Sequence, residues 1–157
     1  MKFSLKQDIE APIVFCFAYL TDFDAWERSA MRRGAEVVRS EQKRAVAAGM
    51  SWKASFPYRG KVRKLDVQLR KMVAPNKLNV FARSTAIEID LHLDLSEMSA
   101  RRSRLHLTME ALPRNLAARL FFQSMRLART RMDRKFSMRV AQLVTEIETA
   151  YRDKVVA

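Results

Sequence analysis

Two histidines are the strongest candidates in this sequence for metal chemistry. His92 and His106 lie in the segments "AIEIDLHLDL" and "RRSRLHLTME", each on the polar side of an alternating pattern. If the intervening "SEMSA" turns the chain, the two imidazoles become near neighbours across a hairpin and could ligate a metal ion. The same polar faces also have two acidic and two basic residues: Asp90, Asp94, Arg102 and Arg104. We therefore favour solvated charge pairing between neighbouring strands over a metal site.

The sequence shows no recognisable catalytic or cofactor-binding motif. Only three glycines are present, and none forms a phosphate-binding loop or a nucleophile elbow. No pair of carboxylates lies on an apolar face, where general acid–base chemistry would place them. The single cysteine, Cys16, lies inside the apolar run "IVFCFAYL", which predicts a buried hydrophobic side chain rather than a reactive thiol. We accordingly predict no catalytic residues and no cofactor.

A basic stretch from Met125 to Arg139, "MRLARTRMDRKFSMR", could bind an anionic partner. Six of its fifteen residues are Lys or Arg, and the whole chain has a net charge of +13 and a pI near 10.6. Such a charge favours nucleic acid, anionic lipid or an acidic protein as a partner. The simplest interpretation is a solvated outer face of a helix. The alternative is an anionic membrane surface contacted through Arg126, Arg129 and Arg134. Nucleic acid is the least favoured partner, because no helix-turn-helix or RNA-recognition signature is present.

Length and composition indicate a single packed domain covering residues 1–157. Apolar and aromatic residues make up 48% of the chain. The apolar run from Ile13 to Leu20 is too short to span a bilayer. The N-terminal "MKFSLKQDIEAP" lacks the apolar core of a signal peptide. One thiol is compatible with a reducing compartment, so we expect a cytoplasmic protein.

The elements that would position these residues follow from the apolar spacing. "KFSLKQDIE" alternates and predicts a strand with one buried face. Pro12 and Asp22 then mark the starts of two short helices, the second of which ends at Gly34. Further strand-like segments follow, the first of them weak: "AEVVRSEQK", "MSWKASFPY", "KVRKLDVQLRKMV", "LNVFARS", "AIEIDLHLDL" and "RRSRLHLTME". The short turns between them predict an antiparallel meander.

The apolar period changes after Pro113. Apolar residues then recur at steps of three or four: Phe121, Met125, Ala128, Met132, Phe136, Val140, Leu143, Ile147 and Tyr151. This stripe predicts one long helix from about Pro113 to Arg152, since neither Pro nor Gly interrupts residues 114–152. A one-sided sheet must cover its apolar face, and this helix is its predicted cover. The predicted fold class is therefore α+β, with a curved antiparallel sheet of about seven strands, two short helices and one long C-terminal helix.

Four features, spread along essentially the whole chain, are typical of one known fold. They are the segment "IEAPIVFCFAYLTDFDAW", Gly49 with Trp52, "VAPNKL" between two strands, and the terminal helix after Pro113. In these features and in its order of elements the chain resembles the START-like superfamily, also called SRPBCC or helix-grip proteins, which includes polyketide cyclases, pollen allergens and lipid-transfer domains. The resemblance implies a helix-grip fold whose cavity, between the sheet and the C-terminal helix, binds hydrophobic or amphipathic ligands. It implies no shared catalytic residues.

We therefore expect the protein to bind or transport a small hydrophobic or amphipathic molecule. A polyketide-cyclase-like enzyme acting on a hydrophobic substrate is the second alternative, and a basic module that docks lipid or protein is the third. A titratable group inside the cavity would favour the enzyme, and an all-apolar lining would favour the carrier. Inward parity and the helix stripe predict the ligand-binding residues: Trp52, Phe56, Val67, Val80, Leu91, Leu93, Phe121, Met125 and Met132.

Overall fold

The computed structural model describes residues 1–40 and 48–156 of the chain. Seven strands lie in this part of the chain: β1 (Lys2–Ile9), β2 (Glu36–Arg39), β3 (Ser51–Tyr58), β4 (Lys61–Val73), β5 (Lys77–Arg83), β6 (Ile87–Ser99) and β7 (Arg102–Pro113). The helices are α1 (Ile13–Leu20), α2 (Phe23–Arg32), α3 (Leu116–Met125) and α4 (Arg129–Val156), with a 3-10 turn at Arg126–Ala128. None of the helices in the described ranges is both long enough and apolar enough to cross a bilayer.

The seven strands form one antiparallel sheet in the order β1-β7-β6-β5-β4-β3-β2. The predicted α+β architecture is confirmed, including a short strand within the weak segment "AEVVRSEQK", whose last residues, 41–43, lie outside the described residues. The β3–β4 hairpin turns through Arg59 and Gly60, which both have positive φ, 50° and 76°. This combination is typical of the two-residue turn whose twist matches that of paired strands.

The two short helices begin where the sequence predicts. Pro12 is the N-cap of α1, and its fixed φ suits a helix start. The Asp22 carboxylate caps α2 by accepting a hydrogen bond from the backbone N–H of Ala25 at 3.1 Å. Cys16 is fully buried in α1, as predicted, and burial raises the pKa of its thiol.

The predicted long C-terminal helix is confirmed as α4, but the helical segment differs from the prediction in its start and its continuity. Pro113 is the last residue of β7, and the helix starts only at Leu116, where the Asn115 side chain accepts a hydrogen bond from the Ala118 N–H at 2.8 Å. The tighter 3-10 turn then separates α3 from α4. The two segments pack on different elements, because α3 contacts β7 whereas α4 contacts β1 and α1.

The closed core lies at the end of the sheet where β6 turns into β7. Aliphatic side chains from β1, β4, β7 and α4 are fully buried there: Ile9, Leu69, Leu105 and Ile147. Ring contacts hold α4 against β1 and α1. Phe136 packs on Phe3 of β1 with ring centroids 5.4 Å apart, and Tyr151 packs on Phe15 of α1 at 5.2 Å.

Candidate ligand groove

The inner face of the sheet is mainly apolar, but only one end of it is closed. In the row formed by Leu78, Leu93 and Leu107 all three side chains are buried. Two rows further along, towards the start of α3, the cross-strand neighbours are only half-buried: Val67, Ala82, Ile89 and Ala111. Burial thus decreases along the strands while the side chains remain apolar.

The C-terminal segment, whose helix α3 contacts β7, also has apolar side chains that are only partly buried. They come from α3, the 3-10 turn and the first turn of α4, and all of them are half-buried: Phe122, Met125, Ala128 and Met132. The closed core, in contrast, is covered by α1 and the later turns of α4. Solvent thus reaches both sets of apolar side chains, and we take the space between them as the candidate ligand groove, since small apolar ligands bind in concave apolar sites.

Six of the nine predicted ligand-binding residues are half-buried: Phe56, Val67, Val80, Leu91, Met125 and Met132. Val67, Val80 and Leu91 pack against the buried core, and the assignment of the six residues to a ligand site stays a prediction. The other three have different environments. Leu93 is buried in the closed core. Trp52 is buried against Phe23 of α2, with ring centroids 5.2 Å apart. Phe121 is 44% exposed on α3.

A cluster of polar side chains from α2 and β2 lies beside Trp52. The Trp52 indole N–H donates to Glu27 Oε1 at 2.9 Å. Arg39 donates to the same oxygen at 2.6 Å and to Asp24 at 2.7 Å. The hydrogen bond to Glu27 raises the pKa of the Arg39 guanidinium. Spacing in the sequence did not reveal this cluster, because it joins residues of three separate elements.

The mouth of the groove lies between the tip of the β3–β4 hairpin and α3. The Arg59 guanidinium lies 5.3 Å from the centroid of the Tyr58 ring and 5.9 Å from that of Phe121. Such distances are typical of cation–π contacts. Arg63 is exposed directly opposite Phe56, on the inner face of the sheet, and is therefore the cation at this mouth that shares a face with the groove.

Two further depressions lie outside the groove. One, of about 340 Å³, lies on the outer face of β3–β5, where Arg70 stacks on Phe81 at 3.5 Å; Trp52 and Val67 are the predicted ligand-binding residues on its rim. The other, of about 480 Å³, lies between α2 and α4 and is lined mainly by polar residues, including Arg32, Arg33 and Glu146. Neither has the apolar lining expected for the predicted ligand.

The two histidines are engaged in separate polar contacts on the outer face of the sheet. His92 Nε2 lies 3.2 Å from Asp90, whereas His106 Nε2 lies 3.1 Å from the Ser4 hydroxyl. Charge pairing between strands is present, but it involves β1: Arg104 donates to Asp8 at 2.7 Å, and Arg102 pairs with Glu10. The described ranges contain no group of three or more side chains suited to a metal ion.

The three arginines predicted to contact a membrane have different environments. Arg126 and Arg134 are exposed, which agrees with a solvated face. Arg129 instead packs within the fold: its guanidinium lies 4.5 Å above the Phe3 ring, donates to the Lys2 carbonyl and pairs with Asp133 at 3.2 Å. Its inclusion in a free basic face is therefore wrong, because β1 lies beside this turn of the helix.

This chain is similar in structure, but not in sequence, to several proteins of known structure. No protein-family model matches the chain, and no curated protein matches it. The Zhui aromatase/cyclase from Streptomyces sp. R1128 is 12% identical with a TM-score of 0.66, over 94% of this chain and 93% of that chain. A START superfamily protein from Mycobacterium smegmatis is 9% identical with a TM-score of 0.56, over 90% of this chain and 98% of that one. Ara h 8.0201 is 10% identical with a TM-score of 0.58, over 98% of both chains.

At these identities the likeness concerns the backbone arrangement. It spans nearly the full length of each neighbour. Because the same arrangement was expected from the sequence, the two observations agree. The chain has the START-like, helix-grip fold.

Proposed function

We propose that residues 1–157 form one domain that binds a small hydrophobic or amphipathic molecule in the groove between the inner face of the sheet and α3. The observation that supports this proposal most directly is the decrease in burial along inner-face rows whose side chains stay apolar. A half-buried apolar row is unfavourable without a ligand or other cover, since each unburied methylene forgoes about 0.8 kcal/mol. The fold is compatible with hydrophobic ligands.

The position of Arg63 favours an amphipathic ligand with an acidic group. A ligand whose apolar part lay against Val67, Ala82 and Ile89 would have its other end near the hairpin tip. There the exposed guanidinium of Arg63 could pair with a carboxylate, sulfonate or phosphate. Binding energy would come mainly from buried apolar area, about 25 cal/mol per Å² before the costs of association.

A cyclase-type reaction is the second candidate, because one structural neighbour is an aromatase/cyclase. Glu27 is the acidic side chain that reaches the groove wall at Trp52, and it already accepts hydrogen bonds from Arg39 and the Trp52 indole. A carboxylate with both partners in place is a poor general base. The arrangement therefore supports a carrier better than an enzyme.

Filling the groove tests the proposal. Ala82 lies between Val67 and Ile89 in the half-buried row, so Ala82→Trp should occupy the ligand space. We expect at least tenfold weaker binding of the anionic probe 1-anilinonaphthalene-8-sulfonate and of the neutral probe N-phenyl-1-naphthylamine. The matched control, Ala100→Trp in the exposed β6–β7 turn, should bind both probes as the unmodified protein does.

Two further measurements complete the test. Arg63→Gln should weaken binding of the anionic probe alone, and native mass spectrometry of protein purified from its own host should show a bound small molecule. Unchanged binding of both probes by folded Ala82→Trp would place the binding site elsewhere.

A further inference from the structure

Helix α3 has a second apolar stripe on the side that faces away from the sheet. Leu116 and Leu120 of α3 are 70% and 56% exposed, and Leu127 of the 3-10 turn that follows is 97% exposed. The spacing of four residues puts Leu116 and Leu120 on the same side of the helix. The residues that face the sheet, Ala118 and Met125, lie on the opposite side. A helix of a globular protein normally has one apolar face, so the outer stripe lacks a partner in the described part of the chain.

Basic side chains border this stripe. Arg119 and Arg126 are exposed, stand seven residues apart and form a parallel line beside the leucines. The adjoining hairpin tip repeats the combination: Tyr58 and Val62 are exposed apolar residues, and they alternate with exposed basic residues, Arg59, Lys61 and Arg63. Contact of Arg59 with Phe121 makes the two segments one continuous surface, which we call the mouth surface: residues 58–63 of the hairpin and 116–127 of the helix.

The mouth surface is strongly basic. Residues 58–63 contain three Lys or Arg, residues 116–127 contain two, and neither segment contains an acid. The mouth surface thus accounts for five of the thirteen excess positive charges of the chain, and the next turns of helix, residues 128–139, add five Lys or Arg and one Asp. Within the described residues, Arg119, Arg126, Arg131 and Arg134 form no ion pair. This concentration of unneutralised charge calls for an anionic partner.

The chemistry of the mouth surface selects among anionic partners. A second copy of the chain would bring two strongly positive surfaces together. Nucleic acid would be bound through phosphates and by stacking on aromatic rings, and exposed leucines add nothing to either contact. A bilayer containing anionic lipid matches both parts, since its headgroups attract arginine while leucine enters the boundary with the acyl chains.

We propose that the mouth surface docks on an anionic lipid bilayer, with Leu116, Leu120 and Leu127 inserted at the interface and Arg119 and Arg126 at the headgroups. This inference rests on the proposed function, because it places the mouth of the ligand groove against the membrane. A hydrophobic ligand would then pass between the acyl region and the groove without crossing bulk water.

Vesicle flotation tests the docking. The full chain should float with phosphatidylcholine vesicles that contain phosphatidylglycerol and much less with vesicles of phosphatidylcholine alone. Leu120→Gln/Leu127→Gln should weaken anionic-vesicle binding at least tenfold. Arg119→Gln/Arg126→Gln should weaken it about 25-fold, since each basic residue near such a surface contributes about fivefold.

Matched controls use exposed residues away from the mouth surface. Val14→Gln/Val38→Gln removes two exposed valines, on α1 and β2. Lys71→Gln/Arg101→Gln removes the same charge as the arginine pair, from other parts of the surface. Both controls should keep nearly the unmodified affinity for the vesicles.

Three outcomes would overturn the docking proposal. The first is no flotation of the unmodified protein. The second is an equal loss in the mouth-surface variants and in their controls. The third is a self-associated protein, or a complex with duplex DNA, that dissociates in the leucine variant while flotation persists. Probe binding in vesicle-free buffer, measured on the same variants, separates this result from the proposed function: retained probe binding without flotation would contradict only the docking.

Discussion

Arginine 129 should stabilise the fold, although the sequence around it is typical of a solvated basic surface. We predict that Arg129→Gln lowers the free energy of unfolding by about 2 kcal/mol. The contact with the Phe3 ring at 4.5 Å contributes about 0.5–1 kcal/mol. The bond to the Lys2 carbonyl adds a similar amount, because the arginine side chain is 41% exposed and solvent competes for it. The ion pair with Asp133 adds only about 0.3–0.5 kcal/mol.

Urea denaturation followed by circular dichroism measures this difference directly. For a chain of this length the same loss corresponds to a fall of about 4–8 °C in Tm. Arg126→Gln and Arg134→Gln are matched controls on the same helical segment. Both side chains are exposed, and each change should stay within about 0.5 kcal/mol of the unmodified protein.

A double-mutant cycle identifies the source of the effect. Phe3→Leu removes the ring but keeps an apolar side chain, so the cycle of Phe3→Leu with Arg129→Gln isolates the contact between cation and ring. We expect a coupling energy of about 0.5–1 kcal/mol. An Arg129→Gln variant as stable as the two controls, or a coupling energy near zero, would refute the reasoning.

Two other changes test the core and the outer face of the sheet. Ile147→Ala should cost about 3–4 kcal/mol in urea denaturation, because Ile147 is fully buried between α4 and the sheet, whereas Met138→Ala on the exposed side of α4 should be nearly neutral; equal costs would contradict the described core. The hydrogen bond from Arg104 lowers the pKa of Asp8 below its usual 3.8, so this pair stabilises the fold above that pH and the contribution is lost as the pH falls through the lowered folded pKa. Asp8→Asn should therefore be less stable than the unmodified protein at neutral pH, and the difference should shrink as the pH falls below 3.8; a difference that does not change with pH would exclude ionisation of Asp8 as its cause.

The sequence predicted the strands well because one face of the sheet is mainly apolar. In β6 the alternation of Ile87, Ile89, Leu91, Leu93 and Leu95 with polar residues records which side chains face inward. The same alternation predicted less about the groove. Leu91 and Leu93 have identical parity, yet Leu93 is buried and Leu91 is not, because the helices cover one end of the sheet more closely than the other. The alternation along a strand shows which face of the sheet a residue lies on. It does not show whether a helix covers that position.

Features that depend on contacts between distant segments were not predictable. Across the 3-10 turn the apolar residues Met125, Ala128 and Met132 still follow one another at steps of three and four residues. The apolar stripe therefore looks continuous in the sequence, and the turn was not predicted. Arg129 resembles its basic neighbours until β1 brings Phe3 beneath it. The Glu27 cluster likewise needs α2, β2 and β3 to meet, and the outer leucines of α3 became notable only once its inner face was known.

The turn at the tip of the β3–β4 hairpin has a consequence for how this chain balances stability against binding. Arg59 has a φ of 50°, a left-handed conformation that a residue with a side chain adopts at a cost of about 1 kcal/mol. Asn or Gly would form the same turn with less strain. Selection for stability alone would therefore remove the guanidinium that lies between Tyr58 and Phe121. An arginine at this position is consistent with a role of its side chain at the mouth of the groove. A variant stabilised by changing Arg59 would have a more rigid hairpin but would lose the contact between the hairpin and α3.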